Sequence, residues 1–215
     1  MINFANVTGI KIQEGSANAL AIGGAEVWSA ERWDVDWKYN GSIPPTSDWS
    51  YPNGTSLITV SPAMSAVAFD APTDNGVAQI GLNASKHAAN NRCVFEVEFN
   101  IDTIGYPYGG AIFLLAAPRS GSSADALRCV AKLGASEGVF IDGHSASKEI
   151  VADEWHVIRM ELDRVLGSSR VYIDKELFCE ADNNSLEGYG EGDGAAFWTR
   201  DARCYVRALR YKVIK

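Results

Sequence analysis

The sequence predicts an all-β protein: a two-sheet antiparallel jelly-roll sandwich with a small N-terminal β-meander. Three observations carry this. In residues 149–180, EIVADEWHVIRMELDRVLGSSRVYIDKELFCE, His156, Ile158, Met160 and Leu162 alternate with Trp155, Val157, Arg159, Glu161 and Asp163. A period of two over that length means strands with one face on a core. Elsewhere Val, Ile, Tyr, Phe, Trp and Thr gather in short runs broken by Gly, Pro, Asn and Ser, and helical periodicity is nearly absent. About ten to a dozen strands joined by hairpin-like turns suit a sandwich better than a propeller or a small barrel.

Composition bounds the partners. The chain has 215 residues, 47% of them hydrophobic and 21% charged, enough for one large sandwich with a real core. Its formal net charge is −8, the opposite of what a phosphate-tracking protein needs, so nucleic acid and anionic membranes are excluded as expected partners. Basic residues do crowd near the C-terminus, at Arg200, Arg203, Arg207, Arg210, Lys212 and Lys215, where they read as the solvated outer face of a closing strand. The N-terminus lacks a basic region followed by an apolar one, and no run reaches the length of a membrane span. Synthesis in the cytoplasm, without membrane insertion, is the expectation. Cys93, Cys129, Cys179 and Cys204 form no Cys-x-x-Cys pair and lie in apolar runs, as buried thiols do, although four cysteines also allow three disulfide pairings.

The chain divides at about residue 30. In residues 1–30 a strand around Ile10 and Ile12 turns at Glu14-Gly15, resumes over Ala19 to Ile22, turns at Gly23-Gly24 and ends in Ala25-Glu26-Val27-Trp28. This succession of a Val/Ile strand, a Gly turn, a second strand and a Gly turn ending in Val-Trp resembles a segment of tail and other structural proteins of bacteriophages and prophages. The resemblance implies attachment to other virion proteins or self-association through residues 1–30, and a place in the virion.

Residues 31–215 form the main domain. Its first stretch is aromatic and irregular, with Trp33, Trp37, Tyr39, Trp49 and Tyr51 among turns at Pro44-Pro45 and Pro52-Asn53-Gly54. Strands follow at Ser56 to Val60, Ala66 to Phe69 and Val77 to Leu82. Arg92 to Ile101 places Cys93, Phe95, Val97 and Phe99 on one side and Val94, Glu96, Glu98 and Asn100 on the other. Ala111 to Ala117 is apolar throughout, which predicts cover on both faces. In residues 149–180 the turn is expected at Gly167-Ser168-Ser169, with Val171, Ile173 and Leu177 facing one way. An acidic, Gly-rich loop from Asp182 to Gly194 leads to the last strands, Ala195 to Thr199 and Cys204 to Ile214.

The Trp155 strand, the Val171-Tyr172-Ile173-Asp174 strand and the closing strand together resemble the concanavalin A-like (laminin-G-like) family of lectin and glucanase sandwiches. The resemblance spans residues 31–215 and implies three kinds of chemistry. A sugar-binding surface would use aromatic faces against sugar CH groups, with Trp33, Trp37, Trp49, Tyr106, Tyr108 and Tyr189 as candidates. A glycoside hydrolase would need paired carboxylates on one strand face, for which Glu96 and Glu98 are the nearest match. The family-16 pattern is broken here: the middle acid is Glu98 rather than Asp, and Asn100 falls where a further acid is expected. Calcium, which such sandwiches often hold through six to eight oxygens, would find them at Asp182, Asn184, Glu187 and Asp193, although Asn and Asp also favour turns. Asp34 and Asp36 read as a turn or edge feature, and His156 as a satisfied core histidine. The expected function is non-catalytic binding of host-surface carbohydrate by a phage or prophage tail-associated protein. A glycoside hydrolase and a virion assembly domain without small ligand are the alternatives.

Overall fold

The structure, a computed structural model, describes residues 19–22, 25–29, 32–71, 76–86, 92–102, 110–118, 124–132, 138–141, 147–148, 150–163, 166, 168–182 and 194–214. It contains two compact units, Met1–Arg32 and Trp33–Lys215. In the first, β1 (Ala19–Ile22) and β2 (Ala25–Ser29) pair antiparallel, with an irregular step between Leu20 and Ala21. The expected strand around Ile10 and Ile12 lies outside the described residues.

The second unit is the sandwich. Its strands are β3 (Val35–Lys38), β4 (Trp49–Ser50), β5 (Ile58–Ser61), β6 (Ala66–Ala71), β7 (Val77–Leu82), β8 (Arg92–Ile101), β9 (Gly110–Pro118), β10 (Ala124–Lys132), β11 (Gly138–Ile141), β12 (Ser147–Lys148), β13 (His156–Asp163), β14 (Ser168–Ile173), β15 (Glu176–Asp182), β16 (Ala195–Arg200) and β17 (Ala202–Val213). Among the described residues the helical content is three single 3-10 turns, none able to cross a membrane. One sheet has seven strands in the order β12-β11-β10-β9-β16-β7-β4. The other has eight, in the order β15-β14-β13-β8-β17-β6-β5, with β3 also paired to β17. Every pairing is antiparallel, and sequence-distant strands meet at the centre of both sheets, as jelly rolls require.

The core lies between the sheets and follows from strand alternation. From β8 come Cys93, Phe95, Val97, Phe99 and Ile101. Facing them are Ile80 and Leu82 of β7, Phe113 and Leu115 of β9, and Phe197 of β16, all fully buried. Rings interlock across the gap: Phe69 meets Phe197 edge-on at 4.9 Å between centroids, and Phe99 meets Phe113 at the same distance. Such pairs add about 0.5–1.5 kcal/mol each beyond the area they bury. Gly54 is fixed by space. Its φ is +65°, and a Cβ there would lie 2.0 Å from the Val77 carbonyl oxygen.

Two strand expectations are corrected. Ser168 and Ser169 already belong to β14, and the next reversal falls at Asp174-Lys175, both with positive φ, 52° and 72°. Two successive left-handed residues between paired strands make a type I′ hairpin. The reversal puts Leu177 at 54% exposure rather than beside Val171 and Ile173. In β9, Ala111, Phe113 and Leu115 are buried, whereas Ile112 and Leu114 are half-buried, so one face meets the core and the other is only partly covered.

Candidate functional site

The outer face of the eight-stranded sheet concentrates the charge of the described surface. Alternation sends Glu96 and Glu98 of β8 outward because Phe95, Val97 and Phe99 point in. The register then lines up Tyr172, Arg159, Glu96, Arg210 and Asp36 in one row across five strands. Directly opposed side chains of a row interact, and here the signs alternate. Arg210 donates to Glu96 and, at 3.1 Å, to Asp36. Arg159 donates to Glu161 at 2.7 Å and lies 3.8 Å from the other oxygen of Glu96. Burial works against the Arg210 charge, but its hydrogen bonds to Glu96 and Asp36 outweigh that and move its pKa up.

A β-bulge builds the next row. The β17 register slips between Val206 and Ala208, opposite Phe99 and Glu98. The slip falls where the neighbour of β17 along one edge changes from β6 to β3. Arg207 is the extra residue, so Arg203, Tyr205 and Arg207 face outward on one parity, and Ala208, Arg210 and Lys212 on the other. Arg207 donates to Glu98 at 2.6 Å. Farther along, Arg203 donates twice to Asp70, at 2.7 and 3.0 Å, and once to Asp102 at 3.4 Å. The Asp70 bonds are the main reason the Arg203 pKa is pushed up.

Two half-buried tryptophans sit on this charged floor. The Trp33 ring lies 5.6 Å from the Arg159 guanidinium carbon and 5.2 Å from Lys212 Nζ. The Trp155 ring lies 4.1 Å from the Arg207 guanidinium carbon, a cation–π stack. Trp155 is held by the start of β13. Next to it, His156 is buried, with Nδ1 2.8 Å from Asp174 Oδ2 and Nε2 2.8 Å from the Val151 carbonyl oxygen. The other oxygen of Asp174 accepts from the Val157 N–H at 2.8 Å. His156 is thus the satisfied core histidine its alternation implies.

The other aromatic candidates part company with Trp33. Trp37 is 6% exposed and Trp49 0%, and both fill the core, Trp49 against Phe95. Neither can stack on a sugar, which corrects their assignment. In β3 the alternation Val35-Asp36-Trp37-Lys38 already put Trp37 on the valine side. Tyr106, Tyr108 and Tyr189 lie outside the described residues, as do Asn184, Glu187 and Asp193. Asp182 ends β15, its backbone paired with Ser168. No cluster of three or more acidic, histidine or cysteine side chains that could hold a metal occurs among the described residues.

Glu96 and Glu98 do share a face, but each is engaged by arginine, and Asn100, 1% exposed, follows them instead of an acid. Their evident work is to neutralise Arg159, Arg207 and Arg210. Asp34 is also accounted for: its carboxylate accepts from the Val213 N–H at 2.7 Å, tying the start of β3 to β17. Cys93, Cys179 and Cys204 are thiols. Burial pushes the Cys93 pKa up to about 12 and raises that of Cys204 too, so neither is a nucleophile.

Trp155, Arg159, Arg207 and Arg210 are absent from the candidate residues that the sequence yields. The signal was present. Trp155 has the outward parity of Val157 and Arg159, and the basic residues of the last strand change parity between Arg207 and Arg210, which marks a bulge. The outer face of the other sheet offers a contrast: Trp198, Ile112 and Leu114 are half-buried there, with Gln79 beside Trp198 in register. Its described side chains set an aromatic ring among apolar neighbours.

No family model and no curated protein matches the chain. Solved structures do match. The carbohydrate recognition domain of Emp47p is 12% identical, with a TM-score of 0.55 over 84% of this chain and 95% of that one. A structure from work on endo-acting O-glycanases of the human gut microbiota is 10% identical, with a TM-score of 0.57 over 86% of this chain and 100% of that one. The apo Crh5 transglycosylase is 11% identical, with a TM-score of 0.59 over 84% of both chains. At such identities the likeness speaks for the fold: residues 33–215 form an antiparallel jelly-roll sandwich of the concanavalin A-like kind.

Proposed function

We propose that this chain is a non-catalytic carbohydrate-binding module, and that it serves a phage or prophage tail-associated protein by binding host-surface glycan. One observation carries the binding reading. Trp33 and Trp155 stand half-buried on a sheet face whose arginines and carboxylates remain partly exposed, with Arg207 at 39% and Glu98 at 23%. A sugar needs both parts: an aromatic face for its CH groups, and fixed donors and acceptors for its hydroxyls. Several solved structures that share the fold are named for carbohydrate recognition or glycan processing, which agrees with this reading. The engagement of Glu96 and Glu98 by arginine favours binding over hydrolysis. The tail-associated context is supported by the sequence resemblance of residues 1–30, through which the chain would join other virion proteins or itself.

The test is a glycan array probed with the purified protein, once with calcium and once with chelator. A saturable hit that is lost in Trp155→Ala is the expected result. Loss only under chelation would assign a role to calcium and to the Asp182–Asp193 stretch. A blank array in both conditions would end the carbohydrate reading and leave the assembly role. Turnover of any polysaccharide that is abolished by Glu98→Gln would instead establish the hydrolase.

A further inference from the structure

The arginines of the charged face are not equally committed. Arg203 makes three hydrogen bonds to two aspartates. Arg210 bonds Glu96 and Asp36, Arg159 bonds Glu161 beside Glu96, and Arg170 uses two nitrogens on Glu180. The Arg207 side chain bonds Glu98 through Nη2 and stacks on Trp155. A guanidinium carries five N–H donors in a planar fork, so most of the Arg207 fork is unspent. Its plane is nevertheless fixed, because Glu98 holds one corner and the indole covers one face. Donors held in place before a ligand arrives lose little freedom on binding.

The charge of that row is also uneven. Across β8, β17 and β3 it contains Glu98, then the Arg207–Ala208 bulge, then Lys38. Lys38 is 64% exposed in its side chain, and its ion pair is a long one, 3.8 Å to Asp36, which already serves Arg210. Within that row two cations, Arg207 and Lys38, stand against one carboxylate, Glu98, which Arg207 engages. In the adjacent row Arg159 and Arg210 are matched by Glu96 and Asp36. On a chain of net charge −8, the Glu98 row by itself thus carries one positive charge in excess of its carboxylate, beside an aromatic ring.

We infer that Arg207, held between Trp155 and Glu98 with Lys38 beside it, is the specificity-determining residue of this face and selects an acidic sugar through its carboxylate. The fork of Arg207 pairs with both carboxylate oxygens, Lys38 supplies the second positive charge, and Glu98 accepts from a hydroxyl of the same sugar. The inference rests on the carbohydrate-binding reading above and narrows it to acidic glycans.

The experiment is a calorimetric titration of the full chain with matched sugar pairs. One pair is an oligogalacturonate and its carboxyl-reduced neutral counterpart; the other is sialyllactose and lactose. Sulfated lactose is a further arm. The acidic member of at least one pair should bind about tenfold or more tighter, the size of a charge-assisted bidentate contact. That preference should vanish in Arg207→Gln, fall in Lys38→Gln and shrink with added salt. Lys38 is exposed enough that its variant tests the idea even where Arg207→Gln fails to fold. Equal binding of acidic and neutral members overturns the inference and leaves the carbohydrate reading standing. So does a preference that survives both variants, or one for the sulfated sugar alone. Absence of binding to every sugar, neutral ones included, overturns the carbohydrate reading itself.

Discussion

Trp37 and Trp49 differ from Trp33 and Trp155 in fate, although all four are tryptophans of one sandwich. The first two are sealed in the core, with Trp49 at 0% exposure against Phe95. The second two lie on cations of an outer face. Clustering in sequence does not sort them, since Trp33, Trp37 and Trp49 fall close together and yet divide between the classes. What sorts them is the side of the sheet each ring reaches and the chemistry of the nearest side chains. Trp37 shares a strand face with the buried Val35 and packs, whereas Trp155 shares a face with Arg159, stacks on Arg207 and is displayed.

The largest expected effect would break this comparison outright. Trp49→Ala should cost about 3–5 kcal/mol of unfolding free energy, as large core deletions do. Urea denaturation measures this, and glycan affinity per folded molecule should be unchanged. Trp155→Ala should do the reverse, costing about 1 kcal/mol or less in stability and at least about tenfold in affinity. If both variants lose stability and affinity together, the two classes are not distinct.

The second effect concerns the charged row. Glu96 is 12% exposed in its side chain and sits between Arg159 and Arg210. Glu96→Gln leaves two arginines short of a counter-charge, and a loss of about 2–3 kcal/mol is expected for such a partly buried site. The double variant Glu96→Leu/Arg210→Met should recover part of that loss, because it removes one of the two stranded charges while Arg159 keeps Glu161. A neutral single variant would show that the row is solvated surface.

Much of this was legible in the sequence. The alternation of β8 put Glu96 and Glu98 on one outward face, and the alternation of β13 put His156 inside and Arg159 outside. What was not legible depends on register between distant strands. That Arg210 meets Glu96, and Asp36 meets Arg210, follows from β17 lying between β8 and β3, which no local pattern reveals. The bulge at Arg207 was half-legible, as a change of parity. The burial of Trp37 can be read from its parity with Val35 in β3, whereas that of Trp49, in a strand of two residues, depends on tertiary packing against Phe95.

The third effect is set by pH and belongs to groups that burial in or against the core holds protonated. Cys93, Cys204, Tyr51 and Tyr211 all have raised pKa values, in each case chiefly through burial, those of Cys93 and Tyr51 reaching about 12. Folding keeps these groups protonated where the unfolded chain would release protons. Their contribution is complete below the unfolded pKa values and is lost as pH rises toward the folded ones. For Cys93 the window runs from about 9 to about 12. Each such group can tilt unfolding free energy downward by up to about 1.4 kcal/mol per pH unit. Denaturation midpoints measured from pH 8 to 11 should fall, and Cys93→Ala should flatten the slope. A flat profile would mean these groups are wetter than the fold implies.

The smallest effect lies at the hairpin that carries β14 into β15 and holds the carboxylate bonded to His156. Asp174 and Lys175 both occupy positive φ, and for lysine this geometry is unfavourable by about 1 kcal/mol. Lys175 is exposed. Lys175→Gly removes the strain but frees the unfolded chain, so the net gain should be modest, about 0.5 kcal/mol. Asp174→Gly changes the same kind of backbone position with the opposite outcome, because it also removes the acceptors of His156 and the Val157 N–H. The pair separates backbone strain from side-chain anchoring. A stabilised Lys175→Gly with a destabilised Asp174→Gly would establish that Asp174 holds the strand start beneath Trp155. Two variants of equal sign would reduce that anchor to turn geometry.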